Sequence, residues 1–150
     1  MSDAYVHGPV EARRSPFLDL EQSDWDAMVA EIRSAFLGAR DYARGRQGGR
    51  IVFVSAAAAA RPITGATLEG VAGAFLTTAA QVAAVEVVEQ GITANVVVPA
   101  LERDAQAVDA VVAFLVSDDA RGVTGAVIAA DGGFSITKQS TPSPLLGERA

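Results

Sequence analysis

Residues 49–55 read Gly-Arg-Ile-Val-Phe-Val-Ser, and residues 92–98 read Ile-Thr-Ala-Asn-Val-Val-Val. Each is a short, largely apolar run, with Ile51–Val54 and Val96–Val98 unbroken, as expected of a strand buried on both faces. That pattern belongs to parallel sheets covered by helices. Between the two lies Thr67–Gln90, a helical stretch with no charged side chain from Gly70 to Val85. A helix with one wet side carries a polar stripe, whereas one apolar all round needs cover on two sides. A chain of 150 residues has few elements to provide it, so part of this helix is expected to be covered by another molecule.

Outward from this centre the elements alternate. Ala4, Tyr5 and Val6 form a short strand within Asp3–His7, stopped by Gly8 and Pro9. Ser23 with Asp26 three residues on reads as a helix start, and Trp25, Met28, Val29, Ile32, Phe36 and Ala39 follow at helical spacing. This predicts an amphipathic helix of about six turns, ended by the loop Gly45–Gly49. Asp104–Val116 is a further helix with Val108, Val111, Val112 and Leu115 on one side, and Ala126–Ala130 is a last strand before Asp131-Gly132-Gly133. Strands alternating with helices predict an α/β fold with a four-stranded parallel sheet. Residues 1–135 form one domain, and 136–150, with Pro142, Pro144 and no periodicity, a mobile tail. The run Ala56–Ala60 reads as a small-residue loop. Gly65 and Gly70 have P-loop spacing but precede Val71-Ala72 instead of Lys-Ser/Thr, so they read as a loop and a close helix approach.

Composition narrows the chemistry. The net charge of −6 and 50% hydrophobic content argue against disorder and against nucleic-acid binding, which needs a cationic field. An acidic membrane surface is equally unattractive, no stretch is expected to reach the roughly 18 apolar residues of a membrane span, and the reading places the protein in the cytoplasm. There is no Cys, His7 is the single His, Lys138 the single Lys, and Tyr5 and Tyr42 the only Tyr residues. Thiolate nucleophiles, Cys-ligated metals and His-rich metal sites are thereby excluded.

Four pieces then fall into a recognisable order: Ser15-Pro16-Phe17-Leu18-Asp19-Leu20 leading to Asp24-Trp25-Asp26; Gly49–Ser55; Glu86 followed by Gly91-Ile92-Thr93-Ala94-Asn95 and Pro99; and Phe114-Leu115-Val116-Ser117-Asp118 with Thr124-Gly125 and Asp131-Gly132-Gly133. Together they resemble the short-chain dehydrogenase/reductase family from Asp3 to Gly133. The resemblance implies a partial Rossmann-like fold beginning at the family's fourth strand and running to its seventh. The glycine turn that receives the cofactor pyrophosphate belongs to the preceding half, and none of the 14 Gly residues forms G-x-G-x-x-G or G-x-x-x-G-x-G. The first strand is then expected at an open sheet edge.

The same resemblance allows the catalytic positions to be counted. The family's Tyr position falls on Glu69, its Lys position on Gly73, its Ser position on Ala56, and its Asn position on Glu31 or Ile32; the Asn-Asn-Ala-Gly run is replaced by His7-Gly8-Pro9-Val10. All four catalytic functions are expected to be missing, with no cofactor bound by this chain and no metal. The family's substrate lid is also absent, since Pro99-Ala100 runs almost directly into the helix at Asp104. The helices and last strand through which the family assembles are present. The resemblance therefore implies a non-catalytic subunit in a dimer or tetramer with a full-length member, which would bind NAD(P) and oxidise or reduce a hydroxyl or ketone. Candidate interface residues are Trp25, Met28, Ile32, Phe36, Phe75, Thr78, Ala79 and Val82, with Thr77 and Gln81 beside them and the segment Phe134–Lys138 near the partner's site. Three other readings stay open: a homo-oligomeric structural or binding protein, an acid/base enzyme such as an isomerase or cyclase using His7, Glu31 or Glu69, and a complex in which another chain supplies the cofactor half. For Glu69 the plainer reading is an acid in a helix's first turn, stabilised by the dipole.

Overall fold

The computed structural model describes residues 3–101 and 104–136. From residue 137 on, the expected tail lies outside them, as does Lys138. Among the described residues, the strands β1 (Ala4–His7), β2 (Gly49–Val54), β3 (Ile92–Pro99) and β4 (Val127–Ala130) alternate with helices α1 (Gln22–Ala43), α2 (Ala57–Ala60), α3 (Thr67–Val87) and α4 (Ala105–Val116). The strands are all parallel and lie in chain order, β1-β2-β3-β4. This is the expected α/β architecture, with the limits of the strands and helices read from sequence met to within three residues, the largest difference being the end of α3 at Val87.

Successive strand residues point to opposite faces, and each face has its own cover. Ile51, Phe53, Ile92, Ala94, Val96 and Val98 pack with Met28, Ala35, Ala39, Leu68, Ala72, Leu76 and Ala80 of α1 and α3. Val52, Val54, Val97 and Ala130 pack with Val108, Leu115 and Ala120 on the α4 side. β3 is buried along its whole length, which is why it is apolar except at Thr93 and Asn95. β1 lies at one edge, as expected, and its Val6 is largely uncovered. The chain steps the same way across the sheet each time, yet α4 covers the face opposite α1 and α3. The last crossover therefore has the opposite hand to the first two, a departure from the usual uniform hand.

Two of the sequence's separate motif pieces meet here. Asn95, fully buried, donates its amide to the Val123 carbonyl at 2.8 Å and accepts from the Ala126 amide at 3.0 Å. Thr124 Oγ1 accepts from the Ala94 amide at 3.1 Å, and the Gly125 amide donates to the Ala94 carbonyl. These bonds stitch the loop before β4 onto β3.

Several local expectations are corrected. Helix α1 starts at Gln22 with Glu21 as its cap, because Asp24, and not Asp26, reaches back to accept from the Glu21 amide at 3.0 Å. Asp26 is taken by Gln22 Nε2. The alanine run is not a loop: Ala57–Ala60 winds into a helical turn lying against α3. A Cβ on Gly70 would sit 3.2 Å from the Ala58 carbonyl, so the close approach expected there is real. Residues 67–90 are in fact long and apolar enough to cross a membrane by length and composition. In this fold the Leu68, Ala72, Gly73, Leu76, Ala80 and Ala84 side of that helix is buried in the domain's own core. After a 3-10 turn at Val88–Gln90 the chain reverses at Gly91, whose φ of 71° suits a residue without a side chain.

Candidate functional site

Open α/β sheets bind ligands at the carboxyl ends of their strands. A cleft of about 320 Å³ lies there, lined by Pro9, Val10 and Arg14 after β1, Ser55 and Ala56 after β2, Pro99 and Leu101 after β3, and Glu69 in the first turn of α3. The loop after β1 is held across it: Val10 is buried in the core, and the Ser15 amide donates to the Gly65 carbonyl at 2.9 Å.

The positions counted from sequence as replacements for catalytic residues gather around this cleft. Ala56 forms part of its floor. Glu69 accepts from Arg14 Nε at 2.9 Å, and this bond raises the Arg14 pKa above its ordinary value. Gly73 is buried one helical turn further on. A Cβ placed there would come 2.6 Å from Ser55 Oγ and 2.8 Å from the Ala59 Cβ, and Ser55 Oγ donates to the Gly73 carbonyl at 3.1 Å. No longer side chain has room there. The resemblance assigns the neighbouring Tyr and Lys to proton transfer and to holding the cofactor ribose. With an ion-paired Glu69 and a packed Gly73 in their places, the residues present do not fit that group.

His7 sits elsewhere. Its Nε2 is 3.2 Å from Glu31 Oε1 and its Nδ1 is 3.3 Å from the Tyr5 hydroxyl oxygen, and the Tyr5 hydroxyl donates to the Ala35 carbonyl at 3.2 Å. Burial, and after it the Glu31 charge, raises the Tyr5 pKa above its ordinary value. The three side chains tie β1 to α1. His7 and Glu69 therefore do not form an acid/base pair: the structure brings His7 to Glu31 and gives Glu69 to Arg14. Arg14 and Tyr5 escaped the sequence reading, since neither carries a spacing signal.

The candidate interface divides. Met28, 1% exposed, belongs to the domain's own core and is no interface residue, because the α1 face that carries it looks onto the sheet. Ile32 is half-buried against that core. Trp25, Phe36, Phe75 and Val82 point outward, the last three 46%, 37% and 51% exposed, and Thr78 is exposed beside them. Phe36 and Phe75 meet edge to face with centroids 6.4 Å apart. Below them Phe36, Ala39, Ala79, Ala83 and Val87 line an apolar groove of about 160 Å³ between α1 and α3. Thr77 turns inward, donating to the Gly73 carbonyl of its own helix. At the chain's far end Arg61 donates to the Phe134 carbonyl at 2.6 Å and lies over its ring, while Asp131 accepts from the Gly133 and Ser135 amides.

Residues 3–103 match the family model described as enoyl-(acyl carrier protein) reductase. The fold superposes on an acetoin dehydrogenase from Salmonella typhimurium with a TM-score of 0.84 at 24% identity, over 93% of this chain and 67% of that one. An acetoin dehydrogenase from Enterobacter cloacae gives 0.81 at 25% over 94% and 67%, respectively. A short-chain dehydrogenase/reductase from Serratia marcescens gives 0.81 at 28% over 89% and 66%. The chain thus spans about two thirds of the length of these relatives. No curated protein matches the sequence. With the motif pieces, the four parallel strands and the family model in agreement, the chain belongs to the short-chain dehydrogenase/reductase family.

Proposed function

We propose that this chain is a non-catalytic subunit that associates with a full-length NAD(P)-dependent member of its own family and stabilises it. The observation that carries the reading is Gly73. At the position where the family needs a lysine, helix α3 lies so close to Ser55 and Ala59 that a Cβ alone would clash. With Glu69 ion-paired and Ala56 in the serine position, none of the described cleft residues matches the family's proton relay or ribose contact. The partner would carry the nicotinamide cofactor and the oxidation or reduction of a hydroxyl or ketone.

The outer face of α1 and α3 supports the association. Burial of a large apolar side chain is worth roughly 1.5–3 kcal/mol, so covering Trp25, Phe36, Phe75 and Val82 together is a strong drive to assemble. Exposed apolar side chains gathered around the Phe36–Phe75 pair fit an interaction surface. Co-expression with a full-length family member encoded nearby, followed by size-exclusion chromatography and dehydrogenase assays, tests the reading. Co-elution, with a higher melting temperature or turnover of the partner than it has alone, is the expected outcome. A lone chain that is monomeric and ignores that partner overturns it, and a defined homo-oligomer with no affinity for the partner replaces it.

A further inference from the structure

The cleft holds hydrogen-bond donors that none of the described residues is seen to use. Arg14 spends only Nε, on Glu69 Oε1. A guanidinium carries five N–H donors in a rigid fork, so the donors on both Nη atoms are left, and the described residues offer them no acceptor. Glu69, with a side chain 14% exposed, fixes the plane of the fork, and its own charge is met at 2.9 Å. Glu11 lies exposed at the rim. The rest of the lining is mixed: Val10, Ala56, Ala57, Pro99, Ala100 and Leu101 supply apolar side chains, and Ser55 lies among them. A guanidinium fork beside a strip of short apolar side chains is complementary to a small anion with an apolar end.

We propose that this cleft binds a short-chain organic carboxylate, its two oxygens bridging the Nη atoms of Arg14 and its alkyl chain lying along Ala56 and Pro99. Paired N–H···O bonds from one guanidinium to one carboxylate are both stronger and more directional than a single charge contact. A cleft of about 320 Å³ is at the small end for a ligand site and has room for a short alkyl chain. Recognition here is by charge and shape alone, and it goes beyond the subunit role, since the ligand would meet this chain and not a partner's cofactor.

Titration of the full chain with butyrate, butyramide and butylamine, followed by thermal shift and by NMR, distinguishes the possibilities. Butyrate is expected to bind saturably at millimolar concentration, with the neutral amide and the amine at least tenfold weaker. Arg14→Gln is expected to weaken butyrate at least tenfold while leaving the circular dichroism spectrum unchanged, because Arg14 is half exposed and outside the core. Arg14→Lys is expected to fall with it, since an ammonium cannot bridge two oxygens. Equal binding of butyramide, preference for butylamine, unchanged butyrate binding by Arg14→Gln, or no saturable binding at millimolar butyrate each overturns the proposal. Because the measurement needs no partner, its failure leaves the subunit reading standing, and failure of co-elution leaves the cleft untouched.

Discussion

The Ser55 hydroxyl donates to the Gly73 carbonyl across 3.1 Å, and the same oxygen lies 2.6 Å from where a Gly73 Cβ would be. One contact therefore both ties α3 to the end of β2 and forbids a side chain at the position where relatives carry lysine.

Gly73→Ala tests that packing. Overpacking costs about 1–3 kcal/mol, against a gain of up to about 1 kcal/mol in helix propensity, so a net loss of about 1 kcal/mol is expected in urea denaturation. Ser55→Ala should recover only part of it, since the Ala59 Cβ at 2.8 Å remains. Glu69→Tyr combined with Gly73→Lys should be less stable still and gain no dehydrogenase activity. Recovery of the parent stability in Gly73→Lys would contradict the geometry.

Asn95 makes a second test. Asn95→Ala leaves the Val123 carbonyl and the Ala126 amide without their partner in the interior. At about 1–3 kcal/mol for each of the two unsatisfied groups, the unfolding free energy should drop by about 2–6 kcal/mol. Asn95→Asp keeps an acceptor for Ala126 but loses the donor to Val123 and buries a charge, so it should be no better.

The outer aromatic pair predicts a different pattern. Phe36→Glu with Phe75→Glu should abolish co-elution with the full-length partner, a loss of at least about 2 kcal/mol or thirtyfold in affinity. Both rings are more than a third exposed in this chain, so the urea midpoint of the isolated domain should hardly move. Analytical ultracentrifugation reads the first effect and denaturation the second.

Acid and alkaline limbs of stability follow from three groups. The amide hydrogen bond from Glu21, aided by Arg13, holds the Asp24 pKa below its ordinary 3.8, and hydrogen bonds from Ser135 and then Gly133 do the same for Asp131. A lowered folded pKa gives stability that is complete above the unfolded value and lost as pH falls through the folded one. Urea midpoints should therefore decline below about pH 3.8, less steeply in Asp24→Asn and Asp131→Asn. Tyr5, raised above its usual 10.0 by burial and Glu31, acts oppositely: its contribution is complete below that value and lost as pH climbs through the higher folded pKa. Tyr5→Phe should remove that alkaline limb.

How far the fold could be read from sequence depended on how local its causes were. The apolar runs Ile51–Val54 of β2 and Val96–Val98 of β3 announce burial from two sides, and Gly91 marks a helix end by its need for positive φ. Asn95 and Thr124-Gly125 were legible as motif pieces, but only the fold shows that they bond to each other. Trp25, Met28, Ile32 and Phe36 share a helical stripe, and nothing in the spacing tells which residue of a wide stripe meets the sheet; Met28 does, and Phe36 does not. Arg14 and Tyr5 were invisible because their roles come from partners 55 and 30 residues away. Ala57–Ala60 reads as a loop although alanine favours a helical turn; Gly70 and Gly73 of α3 let that turn pack closely.

The order of the sheet has a bearing on biogenesis. Since β1, β2, β3 and β4 lie side by side in the order in which they are made, each new strand docks on one already present. Nascent chains fold from the amino end as they leave the ribosome, and here every step of growth finds its template waiting. Progressive shortening from the carboxyl end should thus peel the sheet strand by strand, without ever leaving a gap in its middle.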